Sequence, residues 1–291
     1  AKLDTGCQES KDAFRKTHGD FLKELKNFSN DTKNNEELRA KIERKFKIKN
    51  TCGYSLNALI DFEDEFEILE HLIIGSEGTL AFIEEITYYT VEDLKDKASS
   101  LIYFKDIKEA CSAVTKLKLA KEANTINVEA VELMDRAGLK SIENDPAMPA
   151  FIKDFDENVT ALLIETRAIS DAQLDIQTAQ IEELLKEFSV VRDIYFTKDV
   201  AEYTLYWKIR KGLFPAVGAV RVTGTTVIIE DVAYPIECLA DATLELQDLF
   251  KKHGYSEALI FGHALEGNFH FVFTQDFSDA KEVKRYDDFM N

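Results

Sequence analysis

"FGHALEGNFHF", residues 261–271, carries His263 and His270, two of the five histidines in a chain of 291 residues. The runs on either side, "EALIF" and "FHFVFT", are apolar and β-favouring. Between them "LEGN" reads as a tight turn, because Gly267 can take the positive φ that such turns demand. With Glu266 and Gly267 as the loop, counting outward pairs Leu265 with Asn268, Ala264 with Phe269 and His263 with His270. Directly opposed residues of an antiparallel pair have Cβ atoms about 4.5–5.5 Å apart. Two imidazoles at that separation can converge on one ion, each Zn–N bond being about 2.0–2.1 Å long. A facing histidine pair can equally be a packed, hydrogen-bonded decoration of a sheet, since a closed metal site takes three or four ligands. On both readings the stretch predicts a hairpin.

Outward from it, strands and helices alternate. "SSLIYF", "INVEAVELM", "NVTALLIETRA", "VVRDIYFT" and "TTVIIEDVAYP" read as strands. "DIKEACSAVTKLKLA", "DRAGLKSIEN", "SDAQLDIQTAQIEELLKEF", "DVAEYTLYWKIRKGLF" and "IECLADATLELQDLFKKHG" read as helices, the third with Leu174, Ile181, Leu184, Leu185 and Phe188 on one side. Because a hairpin finishes the series, the pattern predicts an α+β fold: an antiparallel or mixed sheet backed by helices. The chain to about residue 50 is polar and helical, with Phe14, Phe21, Leu22 and Leu25 near helical spacing. "LAFIEEITYYTVED" reads as a strand that ends a first domain, 1–96, ahead of a second, 97–291.

The length allows one large or two ordinary domains with ample core. An apolar content of 45% with 11% aromatics marks a folded protein, and a net charge of −18 counts against nucleic acid as a partner. No run is long and apolar enough to span a bilayer, and "AKLDTGCQES" is not a signal peptide. Cys7, Cys52, Cys111 and Cys238 are scattered without a CxxC and read as reduced thiols. The location this predicts is cytoplasmic, with any membrane contact peripheral.

Three further features could carry chemistry. Gly53 in "KNTCGYSLNALIDF", with Gly75 and Gly78 in "HLIIGSEGTLAFI", breaks the chain beside apolar runs, where backbone N–H groups can approach an anionic or planar ligand. Structural turns would show the same pattern. "TKDVAEYTLYWKIRKGLFPAV" predicts a helix capped by Asp199 and stopped before Pro215, placing Arg210 in its last turn. There a cation complements the helix dipole, or serves as a fork on a substrate carboxylate, with Arg221 a weaker candidate for that task. Glu230 and Asp231 are acids inside an apolar strand, and as neighbours they point to opposite faces.

Assembled, these segments resemble the FAD-linked oxidases of the vanillyl-alcohol-oxidase type, in the D-lactate and D-2-hydroxyacid dehydrogenase branch. "KNTCGYSLNALIDF" with "HLIIGSEGTLAFI" resembles the end of the family's FAD-binding domain, and "VEAVELMDRAGL" the opening of its substrate or cap domain. "FGHALEGNFHF" is similar to its GH-x-x-x-GN-x-H metal motif. The resemblance implies that Asn50, Gly53, Tyr54, Gly75, Ser76, Glu77 and Gly78 line FAD, and that His263 and His270 hold a divalent metal, zinc or else manganese or iron. It also implies that Arg210 binds the substrate carboxylate. The implied reaction is oxidation of a D-2-hydroxy acid, passing electrons to a quinone, cytochrome or iron–sulfur protein, at a cytoplasmic site or one peripheral to the inner membrane. Phe214, one turn after Arg210, offers no polar partner and favours D-lactate over D-2-hydroxyglutarate; glycolate is a further alternative. By the same resemblance the chain is expected to be a fragment lacking the pyrophosphate loop and the later segment with the third metal ligand. The general base is then expected beyond Asn291. A non-catalytic metal-binding module is the competing expectation.

Overall fold

The computed structural model describes residues 2–50, 53–146 and 148–291, without the side chains of 216, 217, 219 and 220. It divides into two compact units, Ala1–Val91 and Glu92–Asn291. Cys52 lies outside the described residues; Cys7, Cys111 and Cys238 are free thiols.

The first unit holds helices α1 (Gln8–Asn34), α2 (Glu36–Lys45), α3 (Ala58–Asp61) and α4 (Glu65–Leu72). Leu25, Leu59 and Ile68 form its small core, with Phe62, Leu69 and Leu72 packed around it. Asn35 and Asp64 cap α2 and α4 with their side chains, supplying acceptors to otherwise orphaned N–H groups. Residues 81–95 form neither helix nor strand, which corrects the strand expected in "LAFIEEITYYTVED". A β-favouring run becomes a strand only when a neighbouring strand takes its N–H and C=O groups, and none does here among the described residues.

The second unit is a six-stranded sheet in the order β1-β3-β2-β5-β6-β4, every neighbouring pair antiparallel. Its strands are β1 (Asp96–Phe104), β2 (Ala130–Met134), β3 (Thr160–Ala168), β4 (Thr226–Ala233), β5 (Leu259–His263) and β6 (Asn268–Gln275). Between and after them run α5 (Ile107–Glu122), α6 (Arg136–Ile142), α7 (Asp171–Leu185), α8 (Val200–Val220), α9 (Leu239–Lys252) and α10 (Ala280–Met290). Strand alternation sends Ile102, Leu133, Ile164, Ile260 and Phe273 to one face, into a core shared with α5, α7, α9 and α10. Tyr103, Met134, Leu163, Phe261 and Val272 face the other way, against α6 and α8.

Three expectations need correction here. "VVRDIYFT" makes only two isolated bridges to β1, at Val190 and Thr197, so it does not form a strand. α8 runs through Pro215 to Val220, which places Arg210 in mid-helix, away from the carbonyl end of the dipole. The series also ends in α10, whose Phe289 packs against Phe250, Tyr255 and Phe273.

Candidate active site

The hairpin forms, with a longer turn than expected. Ala264–Glu266 make one 3-10 turn and Gly267 closes it in the left-handed region at φ 60°. His263 therefore pairs with Asn268, and His270 with Phe261. The register differs by two residues from the expected one. Because side chains alternate with period two, a two-residue shift leaves both histidines on the same face. They become diagonal neighbours, with ring centroids 5.6 Å apart and planes at 80°. Two glycines make this geometry possible. A Cβ at Gly267 would stand 2.3 Å from the Tyr234 carbonyl oxygen, and one at Gly262 2.5 Å from that of Asn268.

Each histidine is held by an acid on the neighbouring strand. Glu132, on β2 opposite His263, accepts from its Nδ1 at 2.8 Å. Asp231, on β4 opposite His270, pairs with that ring's Nδ1. Glu230 pairs in register with Phe271, on the opposite face, as strand alternation requires. Glu132 is buried, and its second oxygen takes Arg210 Nε at 3.0 Å and Nη2 at 2.8 Å. Burial alone would raise its carboxyl pKa. The hydrogen bond from His263 and the guanidinium of Arg210 outweigh burial and hold it below the ordinary range. Arg210 is itself buried and lies over the Phe261 ring, 4.6 Å from its centroid. Its Nη1 makes no hydrogen bond to a described residue.

A second buried acid steadies the helix that carries Arg210. Glu165 on β3 accepts from Trp207 Nε1 at 2.7 Å, from Ser99 Oγ at 3.2 Å and from Arg167 Nε at 2.8 Å. Trp207 is three residues before Arg210, so α8 is clipped to β3 and β2 within one turn. Arg221, by contrast, is exposed at the end of α8 and donates to the Gly218 carbonyl at 2.8 Å, away from this cluster. Sequence reasoning missed Glu132 and Glu165. The available signal was an acid inside an apolar run, "AVELM" and "LLIETRA".

In the first unit the expected cofactor residues fall on two touching loops. Gly53, Gly75 and Gly78 have φ of 74°, 76° and 76°, and Glu77 joins them at 51°. No atom lies within 4 Å of a Cβ built on any of the three glycines. Ser76 is buried, its carbonyl takes Thr79 Oγ1 at 2.6 Å, and Tyr54 Oη bonds Thr79 Oγ1 at 3.0 Å. Ser55 Oγ reaches the Ile74 carbonyl at 2.9 Å, which ties the Tyr54–Ser55 side to the 75–78 turn. These turns leave open space beside bare backbone, the form a planar anionic cofactor needs.

For a metal the donor set is two imidazoles whose Nδ1 atoms are fixed by carboxylates, which leaves each Nε2 for an ion. Both Glu132 oxygens are already engaged, so that acid orients rather than ligates. Among the described residues no group of three or more His, Cys, Asp or Glu side chains is arranged to hold a metal.

Residues 94–291 match the family described as FAD linked oxidases, C-terminal domain. A probable mitochondrial D-2-hydroxyglutarate dehydrogenase of Oryza sativa subsp. japonica is 29% identical over 72% of the chain and 36% of its own length. A mitochondrial D-lactate dehydrogenase [cytochrome] of Arabidopsis thaliana is 28% identical over 76% of the chain and 37% of its length. A glycolate oxidase subunit of Bacillus subtilis (strain 168) is 26% identical over 75% of the chain and 43% of its length. The chain thus spans little more than a third of the two plant relatives. Among solved structures, an alkyldihydroxyacetonephosphate synthase aligns over 76% of the chain and 44% of its own, with TM-score 0.54 and 16% identity. That likeness concerns the fold alone.

Proposed function

The chain belongs to the FAD-linked oxidases, whose C-terminal domain its residues 94–291 form, and from that premise we propose that it serves the oxidation of a D-2-hydroxy acid to the 2-oxo acid. The observation that carries the reading is the Arg210–Glu132–His263 chain, in which the buried Arg210 and Glu132 hold a half-exposed His263. A guanidinium fixed on one side by Glu132 presents its remaining N–H groups to a carboxylate. An imidazole fixed at Nδ1 by the same acid presents Nε2 beside it. A 2-hydroxy acid carries its carboxylate and hydroxyl on adjacent carbons, and this pair of groups can take both.

On this reading Arg210 binds the carboxylate, and His263 and His270 face the hydroxyl through their Nε2 atoms. Glu132 and Asp231 hold the tautomer in which those nitrogens stay unprotonated acceptors. FAD, when bound, supplies the acceptor for the hydride leaving Cα, and a divalent cation on the two histidines would supply Lewis-acid stabilisation of the oxygen. Asn50, Gly53, Tyr54, Gly75, Ser76, Glu77 and Gly78 are the residues proposed to line the flavin, the first unit being the end of its binding domain. Arg221 is left out of the substrate site, since it is engaged at the end of α8.

Three relatives are named for D-2-hydroxyglutarate, D-lactate and glycolate. D-Lactate is the substrate we favour, because Phe214, one turn beyond Arg210, gives a second carboxylate nothing to bind. A quinone, cytochrome or iron–sulfur protein is the proposed electron acceptor, and the cytoplasm, peripheral to the inner membrane, the proposed location. No helix among the described residues is long and apolar enough to cross a membrane. The test is the visible spectrum of the intact protein from its source, loaded with FAD and mixed anaerobically with each of the three acids. Bleaching fastest with D-lactate supports the reading. A retained flavin that none of the three reduces would overturn it.

A further inference from the structure

A second cleft opens on the α8 face of the sheet, over β1 instead of β2. Its volume is about 660 Å³, and its walls include Tyr103, Phe151, Arg192, Asp193, Tyr195 and Tyr206. β1 and β2 are separated by β3, so at about 4.8 Å per strand step the cleft floor stands roughly 10 Å from the Glu132 strand. Nothing in the reading above uses it.

Among the described residues, the Tyr103, Arg192, Asp193 and Tyr195 side chains of this lining make no hydrogen bond or ion pair. The Arg192 guanidinium lies 3.9 Å from the Phe151 ring centroid and has no carboxylate or carbonyl partner among the described residues. Tyr103 lines the cleft and is only 5% exposed, and its hydroxyl makes no hydrogen bond to a described residue. Its oxygen is not enclosed by protein, so a ligand atom entering the cleft can pair with it. Tyr206 Oη donates to Glu202 at 2.7 Å, which fixes that wall.

We infer that this cleft is a binding site for a planar aromatic monocarboxylate. The carboxylate meets the Arg192 fork and the Tyr103 hydroxyl, and the ring stacks among Phe151, Tyr195 and Tyr206. The cleft volume lies within the range of small-molecule sites, about 300–1,000 Å³. Asp193 and Glu202 on the same walls favour a ligand with one negative charge over a phosphate-like dianion.

The experiment is calorimetric titration of the chain with 2-naphthoate as probe. Arg192→Met removes an exposed cation without an ion pair, and Tyr103→Phe removes one oxygen, so neither disturbs the core. Saturable one-site binding is expected, weakened about tenfold by Arg192→Met and less by Tyr103→Phe. Binding should be unchanged in Arg210→Lys, and neither inorganic phosphate nor D-lactate should compete. Absence of saturable binding overturns the site, as does equal affinity in the two cleft variants. Competition by phosphate would overturn the assigned ligand class.

Discussion

Glu132 stands directly opposite His263 across the β2–β5 ladder, and its two oxygens divide between His263 Nδ1 at 2.8 Å and the Arg210 guanidinium. One buried carboxylate therefore sets the orientation of both groups proposed to grip the substrate. Glu132→Ala should cost about 3–5 kcal/mol in urea denaturation at pH 7, because it leaves a buried Arg210 uncompensated. The pH dependence has a definite sign. A carboxyl held below its ordinary value of 4.5 stabilises the fold fully above that pH and loses its contribution as pH falls through the folded value. The gap between wild type and variant should shrink only on the acid side of 4.5. An equal gap at pH 7 and pH 3 would remove Glu132 from this role.

Trp207 is the only tryptophan of the chain, and its indole N–H points at the buried Glu165. Trp207→Phe keeps the ring's packing and removes that donor. Leaving Glu165 short of one hydrogen bond should cost about 1–3 kcal/mol. In the parent chain, Glu165→Gln replaces a charged acceptor with a neutral one beside the indole, so the emission maximum should shift without unfolding. Emission identical to wild type would mean that the clip is absent in solution.

The two acids explain how far the sequence could be read. Periodicity placed the helices, the six strands that form and the face of the histidines, because those depend on residues within a few positions. It also read strands into 80–93 and 190–197, where none forms. Glu132 and Arg210 lie 78 positions apart, and nothing local in "AVELM" announces that its acid meets a helix cation. The turn was misjudged because "LEGN" fits a two-residue loop as well as the four-residue one that forms, both needing Gly267 at positive φ. The error was harmless because it was even. A slip by one residue would have sent His270 to the opposite face. Pro215 misled for a different reason: α8 continues through it, and a proline costs one helix hydrogen bond, a loss that packing of the same helix can outweigh. The 81–95 segment shows the converse, β propensity without a partner strand.

Gly267 should tolerate no side chain. It sits at φ 60°, and a Cβ there would lie 2.3 Å from the Tyr234 carbonyl, which is backbone and cannot swing away. Gly267→Ala is expected to lower stability by about 1–3 kcal/mol or more, through strain and overpacking together. Gly53→Ala meets no neighbour within 4 Å and carries only the strain of its φ of 74°. Thermal melts of the two variants should separate them, with Gly267→Ala the lower. The reverse order would mean that the hairpin turn is not the one described.

Asp135 gives the opposite pH signature to Glu132, three residues before it. It caps α6 through the Gly138 N–H at 2.8 Å and ties that helix to β5 through the Ile260 N–H at 2.9 Å. Complete burial pushes its carboxyl up to about 7, against the pull of those two donors. An acid whose folded value lies above its unfolded one near 3.8 stabilises the fold below that pH and loses its contribution as pH rises toward 7. Stability measured by urea denaturation should therefore fall between about pH 4 and pH 7 in wild type. The fall should flatten in Asp135→Asn, which does not titrate. The substitution also breaks one of the two backbone hydrogen bonds, since an amide N–H₂ cannot accept, so the variant should be less stable at every pH while its slope is flatter. A variant that keeps the wild-type slope would assign that titration to another group.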